Sequence, residues 1–144
     1  ISQYLEDQHA LLELRLAALE RAVRARAFPD AFARLGGFTT HLDRYVRREE
    51  RLLFPLYERM VDAAPGSTAR MRREHAHLRR LAVEVSSSLA VADSPRALLG
   101  LGTLRSLLFV HGAKEAWVIY PRVVGGLSAA VEDALVRDLR DRTR

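Results

Sequence analysis

The feature that most constrains this chain is an internal repeat: the first half returns in the second at an offset of 66 residues, with no gap between positions 5 and 121. His9 falls on His75, Glu49 on Glu115, Pro55 on Pro121 and Phe54 on Tyr120. Pro29 falls on Pro95, Leu35 on Leu101, Gly36 on Gly102 and Leu42 on Leu108. A duplicated unit implies a pseudo-twofold axis, and polar residues kept in both halves would converge on it. One such pair is mismatched, Tyr45 against His111.

Each half carries two amphipathic helical stripes. The first reads Leu5, His9, Leu12, Leu16, Leu19, Val23, and its repeat reads Met71, His75, Leu78, Ala82, Val85, Leu89. Spacings that alternate four and three mark one buried helix face. The second stripe is Leu35, Phe38, Leu42, Tyr45, Glu49, Leu52, repeated as Leu101, Leu104, Leu108, His111, Glu115, Val118. Its helices begin near Pro29 and at Ser94-Pro95, an N-cap followed by a first-turn proline, and Pro55 and Pro121 are expected to end or kink them. Ala64-Pro65-Gly66-Ser67 reads as a turn with an N-cap for the third helix. Ser128 is expected to cap a short fifth helix, with Val131, Leu135 and Leu139 on its apolar side. No alternating strand pattern competes. The expected fold is all-α: one domain over residues 1–144, an up-down-up-down four-helix bundle of two repeated hairpins (about 5–55 and 71–121) with a short C-terminal helix at about 128–141.

With 144 residues the chain can bury a proper core. Having no cysteine, it offers neither disulfides nor thiolate ligands, so any metal must be held by imidazole, carboxylate or phenolate. No apolar run is long enough for a membrane span and no stretch reads as a secretory leader; the expected location is the cytoplasm. The net charge of +5 comes almost wholly from arginine. These arginines are interleaved with acids, as in Arg47-Arg48-Glu49-Glu50-Arg51, which argues for solvated helix faces rather than a nucleic-acid surface.

The polar residues on the inward stripes carry the chemistry. Residues four apart share a helix face, with Cβ atoms roughly 6 Å apart, so His111 pairs with Glu115 and Tyr45 with Glu49. A lone histidine on an apolar stripe is ordinary. A buried carboxylate without a partner costs several kcal/mol, and no Arg or Lys stands on the stripes to neutralise one. A bound cation is the simplest compensation. The expected ligands are His9, Tyr45, Glu49, His75, His111 and Glu115: His75 and His111 on one ion, His9 and Tyr45 on a second, with Glu49 and Glu115 bridging.

Four segments carry a resemblance: Asp7-Gln8-His9-Ala10-Leu11-Leu12; Glu74-His75-Ala76-His77-Leu78; Glu49-Glu50-Arg51-Leu52-Leu53-Phe54-Pro55; and His111-Gly112-Ala113-Lys114-Glu115 followed by Ile119-Tyr120-Pro121. In this order and spacing they resemble the hemerythrin-like family, also called the HHE cation-binding domain. The resemblance spans residues 5–121. It implies a four-helix bundle around a non-haem di-iron site, two ions per chain with an oxo or hydroxo bridge, in relatives that handle dioxygen, nitric oxide, peroxide or iron. Two departures matter. The family's H-x-x-x-E on the second helix is here Tyr45-x-x-x-Glu49, and Arg79 stands where oxygen carriers have a second histidine four residues after His75. That argues against reversible oxygen carriage.

Tyr45 has three readings: a phenolate ligand, a hydrogen-bonding or redox-active neighbour of the metal, or core filler in a decayed site. His41, one turn before it, is a candidate ligand or a base for the Tyr45 proton; Tyr45 and His41 are the candidate catalytic residues. His77 is expected to face solvent, Glu50 to form a surface pair with Arg47 or Arg51, Glu74 to lie beside the site at best, and Trp117 and Tyr120 to pack against the fifth helix. The expected partner is a small diatomic or peroxide ligand. As an enzyme the protein would be a di-iron peroxidase, catalase or oxidase; the alternatives are a sensing or storage module without turnover, or a degenerate bundle used for partner contacts.

Overall fold

The computed structural model of the chain describes residues 1–60, 66 and 68–141. Helix α1 (Ser2–Arg24) turns back into α2 (Phe28–Arg48), which runs without a break through a π-helical turn (Glu49–Leu53) into α3 (Phe54–Met60). The second half repeats this plan with α4 (Ala69–Ala90), α5 (Ser94–Lys114), a π-helical turn (Glu115–Ile119) and α6 (Tyr120–Gly125), and α7 (Ala129–Asp141) closes the chain. No strand occurs among the described residues. Helix α1 packs beside α2 and α5, and α4 packs beside the same two. Four rods on the corners of a square, alternating up and down, form the bundle.

The hairpin turns repeat with the helices. Arg26 and Ala92 are 66 residues apart, and both take left-handed backbone angles, φ 55° and 54°. In each turn the amide three residues past the helix reaches back to a carbonyl of the last turn: Ala27 N to Ala22 O at 3.0 Å, Asp93 N to Ser88 O at 2.9 Å. Arg26 and Ala92 donate to Val23 O and Leu89 O, both at 3.0 Å. These are paired Schellman caps. The N-cap of α5 is Asp93, whose side chain accepts from Arg96 N at 3.0 Å. Ser94, the expected cap, is already helical: the Schellman turn uses one residue more than the sequence suggested. Ser128 Oγ accepts from Val131 N at 3.4 Å at the start of α7. In that helix Leu139 is buried, Leu135 is partly buried, and Val131 stays outside. Ala64, Pro65 and Ser67, and with them the expected cap of α4, lie outside the described residues; Gly66 has φ 87°.

Pro55 and Pro121 do not end their helices; the rods continue to Met60 and Gly125. The reason lies in the turn before each. Phe54 N donates to Glu49 O, and Tyr120 N to Glu115 O, both five residues back. A proline in a regular helix lacks its N–H and crowds the carbonyl four residues earlier, and a widened turn directly before it relieves that crowding. The widened turn takes one extra residue, so the inward face advances by one position. Leu53 and Ile119 are buried, whereas the expected Leu52 is only partly covered and Val118 is exposed.

Every apolar residue of the four stripes above these turns is buried. They form two clusters. The larger, from Leu12, Leu42, Leu78 and Leu108 upward, fills the hairpin-turn end. The smaller, around Leu5, Leu53, Phe54, Met71 and Ile119, fills the other end beneath α7. Between them lies one polar layer.

Candidate metal centre

The polar layer is built by four positions. His75 leaves α4 between Met71 and Leu78; His111 leaves α5 one turn below Leu108; Glu49 and Glu115 are the first residues of the two π-helical turns. All four side chains are fully buried. One ligand atom from each lies within 4.8 Å of all the others. His75 Nε2 stands 2.9 Å from Glu49 Oε2 and 3.0 Å from His111 Nε2. His111 Nε2 is 3.5 Å from Glu49 Oε2 and 3.1 Å from Glu115 Oε1.

The outer nitrogens define what the inner ones offer. His75 Nδ1 donates to Glu50 Oε1 at 2.8 Å, and His111 Nδ1 donates to Glu74 Oε2 at 2.9 Å. A carboxylate only accepts, so each Nδ1 carries a hydrogen and each Nε2 is the nitrogen that could give its lone pair to a cation taking the place of a proton. Lys114 in turn bonds Glu74. Burial alone would push the Glu74 carboxyl up, but Lys114 and His111 hold it below the usual range.

Four electron-pair donors facing one another need positive charge between them. In the metal-free chain protons supply it. Burial works against a charged His111, yet the Glu115 and Glu49 carboxylates beside it raise it to about 10. Burial also works against ionised Glu49, but hydrogen bonds from His111 and His75 hold it low. Burial and the Glu49 charge push Glu115 up, so the second carboxyl keeps a proton. Even so, Glu49 Oε1 and Glu115 Oε1 are buried without a hydrogen-bond partner; the 3.1 Å approach of Glu115 Oε1 to His111 lacks hydrogen-bond geometry. Two orphaned carboxylate oxygens beside two imidazoles are a nitrogen–oxygen donor set of the kind that suits iron, manganese or zinc. The residues fit a cation.

The remaining expected ligands lie to one side. Tyr45 is buried and its hydroxyl donates to Glu115 Oε2; burial and the charges of Glu49 and Glu115 hold it as a phenol, far above its ordinary range. His9 turns away. Its Nε2 donates to the backbone carbonyl of Leu108 at 2.9 Å, and its ring meets Tyr45 edge-on at 6.1 Å between centroids. That ring fits only because residue 112 is glycine: a Cβ there would sit 2.2 Å from His9 Nε2. His41 is buried and bonds the Gln8 carbonyl at 3.3 Å, apart from the four-residue group.

Sequence reasoning missed Tyr120, whose hydroxyl donates to Glu115 Oε2 at 3.0 Å alongside Tyr45. The repeat contained the clue, because Tyr120 answers to Phe54, which stacks on His75 at 5.4 Å. Glu50, expected in a surface pair with Arg47 or Arg51, instead holds His75. Trp117 does not pack on the last helix and is 83% exposed, displaced outward with Val118 by the π-helical turn. His77 is half-exposed on the outside of α4 beside Arg73 and Arg80. No helix among the described residues is long and apolar enough to cross a membrane.

Among known protein families, the model described as hemerythrin HHE cation binding domain matches residues 1–123. No curated protein and no solved structure matches the chain.

Proposed function

The chain belongs to the hemerythrin HHE cation-binding domain family, and from that premise we propose a non-haem iron protein that binds or activates dioxygen, peroxide or nitric oxide. The observation that carries this reading is the convergence of His75 Nε2, His111 Nε2 and two carboxylates that each keep one buried oxygen without a hydrogen-bond partner. A bound iron would supply the redox change and the open coordination position. The chain supplies the rest. Glu50 and Glu74 fix the imidazole tautomers, and Tyr45 and Tyr120 hold Glu115 by one oxygen, leaving the other toward His111. The two apolar clusters keep water from the layer between them.

The reading assigns one tight ion to Glu49, His75, His111 and Glu115. A second ion would be held by Tyr45, His9 and Glu115; His9 would have to leave the Leu108 carbonyl and Tyr45 to give up its proton to Glu115, so the second ion would bind more weakly. Titrating metal-free protein with iron(III) tests both points. The first equivalent is expected to bind tightly and without strong visible colour. A violet phenolate-to-iron band is expected only with the second, and is expected to vanish in Tyr45→Phe. Colour at the first equivalent would make Tyr45 a ligand of the tight ion, and a chain that takes up no metal would end the reading.

A further inference from the structure

All four residues of the centre are closed off from solvent, so a cation needs a path inward. The repeat allows the two flanks of the centre to be compared position by position. On the flank between α2 and α4, the space directly beside the centre is covered. Arg72 lies over the Phe54 ring at 5.3 Å and bonds the Glu50 carbonyl, Arg79 pairs with Asp43 at 2.8 Å, and Glu50 itself occupies His75. On the flank between α1 and α5, four of the equivalent positions are exchanged. Arg72 answers to Glu6, Arg79 to Glu13, Val46 to Gly112, and Glu50 to Ala116. Two basic side chains become acidic and two larger ones become small. The result is a cleft of about 140 Å³ lined by Glu6, His9, Glu13, Gly112, Ala116 and Tyr120. Its inner wall is one hydrogen bond from the centre, because Tyr120 bonds Glu115. His9 sits at its floor with Nδ1 3.6 Å from Glu13 Oε1.

We propose that this acid-lined cleft is the route by which a divalent cation reaches the buried centre, with Glu6, Glu13 and His9 as its first contacts. The two carboxylates concentrate cations at the mouth, and His9 stands between them and Tyr45. The missing Cβ at Gly112 gives the ring its place. Beside the centre the opposite flank presents Arg72 and is covered by Glu50 on His75. The proposal rests on the metal-centre reading above.

Cobalt(II) uptake by the metal-free protein, followed by stopped-flow absorbance, tests it without any assay of activity. Ala116→Leu narrows the cleft and is expected to slow uptake roughly tenfold with an unchanged end point. The pair Glu6→Gln and Glu13→Gln, on exposed helix surface, is expected to slow uptake severalfold at low salt and to approach the native rate as salt screens the mouth. Asp30→Asn, an exposed acid at the far end of α2, is the control and is expected to load at the native rate. If the Glu6/Glu13 variant loads as fast as the native chain at low salt, the route is wrong even though the centre stands, and this holds whether or not Ala116→Leu folds. If the native chain takes up no cobalt, the centre itself falls and the route with it.

Discussion

His9 and His75 occupy the same place in the two halves of a duplicated backbone, and they do opposite things. His75 is clamped by Glu50 at Nδ1 and turns its other nitrogen into the centre. His9 donates its Nε2 hydrogen to the Leu108 carbonyl and has no carboxylate in hydrogen-bond contact, only Glu13 at 3.6 Å. Tyr45 and His111 diverge in the same way: His111 is oriented by Glu74, whereas Tyr45 donates to a carboxylate that His111 also approaches. The duplicated features of the backbone survive intact, down to two π-helical turns and two left-handed turns in register. The chemistry has separated into a wired half and an unwired one. A repeat therefore preserves shape more strictly than it preserves ligands, and a residue's place on the stripe does not settle its role until the groups behind it are known.

The largest expected effect comes from removing each histidine in turn. His75→Ala takes away a donor of the tight ion and should weaken its binding by more than about 100-fold, beyond the loss expected from an outer carboxylate. His9→Ala should leave the first equivalent in place and abolish only the weaker second. Metal content after gel filtration separates the two. Melting gives a parallel readout: metal at a hundred times its Kd adds about 2.7 kcal/mol to the folded state, which for a chain of this size is roughly 5–10 °C. That rise should disappear in His75→Ala and persist in His9→Ala. Equal losses in both variants would mean that the halves are not divided as described.

Much of this was legible in the sequence. The repeat and the alternating four-three spacing identified every rod, and Leu12, Phe38, Leu78 and Leu104 are buried as their stripes require. Glu49, His75, His111 and Glu115 could be singled out because carboxylates on apolar stripes have no inexpensive explanation. What was hidden depends on backbone detail or on neighbours far along the chain. A proline after a regular turn and a proline after a widened turn look the same in sequence, so the shift from Leu52 to Leu53, and the exposure of Trp117, could not be read from spacing. Glu50 looked solvent-facing because it is one residue from Glu49, yet it is only 30% exposed and reaches His75 across the α2–α4 contact. His9 turns on the absence of one methyl group at Gly112 and on a free lone pair of the Leu108 carbonyl.

A smaller effect is expected from exchanging the residues behind the ligands. Glu74 answers to Gln8 in the repeat, and the two illustrate the division: Glu74 orients His111, while Gln8 accepts from Arg48 at 3.1 Å and offers its carbonyl to His41. Glu74→Gln should lower affinity for the tight ion about 10–100-fold by loosening the His111 tautomer. Gln8→Glu should leave it unchanged, because the residue faces Arg48 rather than a ligand. Isothermal titration of the metal-free proteins measures both, and an affinity change in Gln8→Glu matching that of Glu74→Gln would show the first half to be wired as well.

The smallest expected effect tests the shared backbone rather than the divided chemistry. Arg26 and Ala92 hold the left-handed position of the two Schellman caps, where a side chain costs about 1–2 kcal/mol relative to glycine. Glycine there loses about 0.4–1 kcal/mol to the greater freedom of the unfolded chain. The net gain should be about 0.5–1 kcal/mol for Ala92→Gly, or roughly 1–4 °C in melting temperature. Arg26→Gly should gain slightly less, because the Arg26 guanidinium also lies over the Phe28 ring at 5.6 Å, an exposed contact that glycine gives up. Both turns bear nearly the same φ and the same pair of backbone bonds, so the two substitutions should act in the same direction. If one turn responds and the other loses stability, the halves differ in backbone as well as in ligands, and the equivalence that made Glu6 comparable with Arg72 no longer holds.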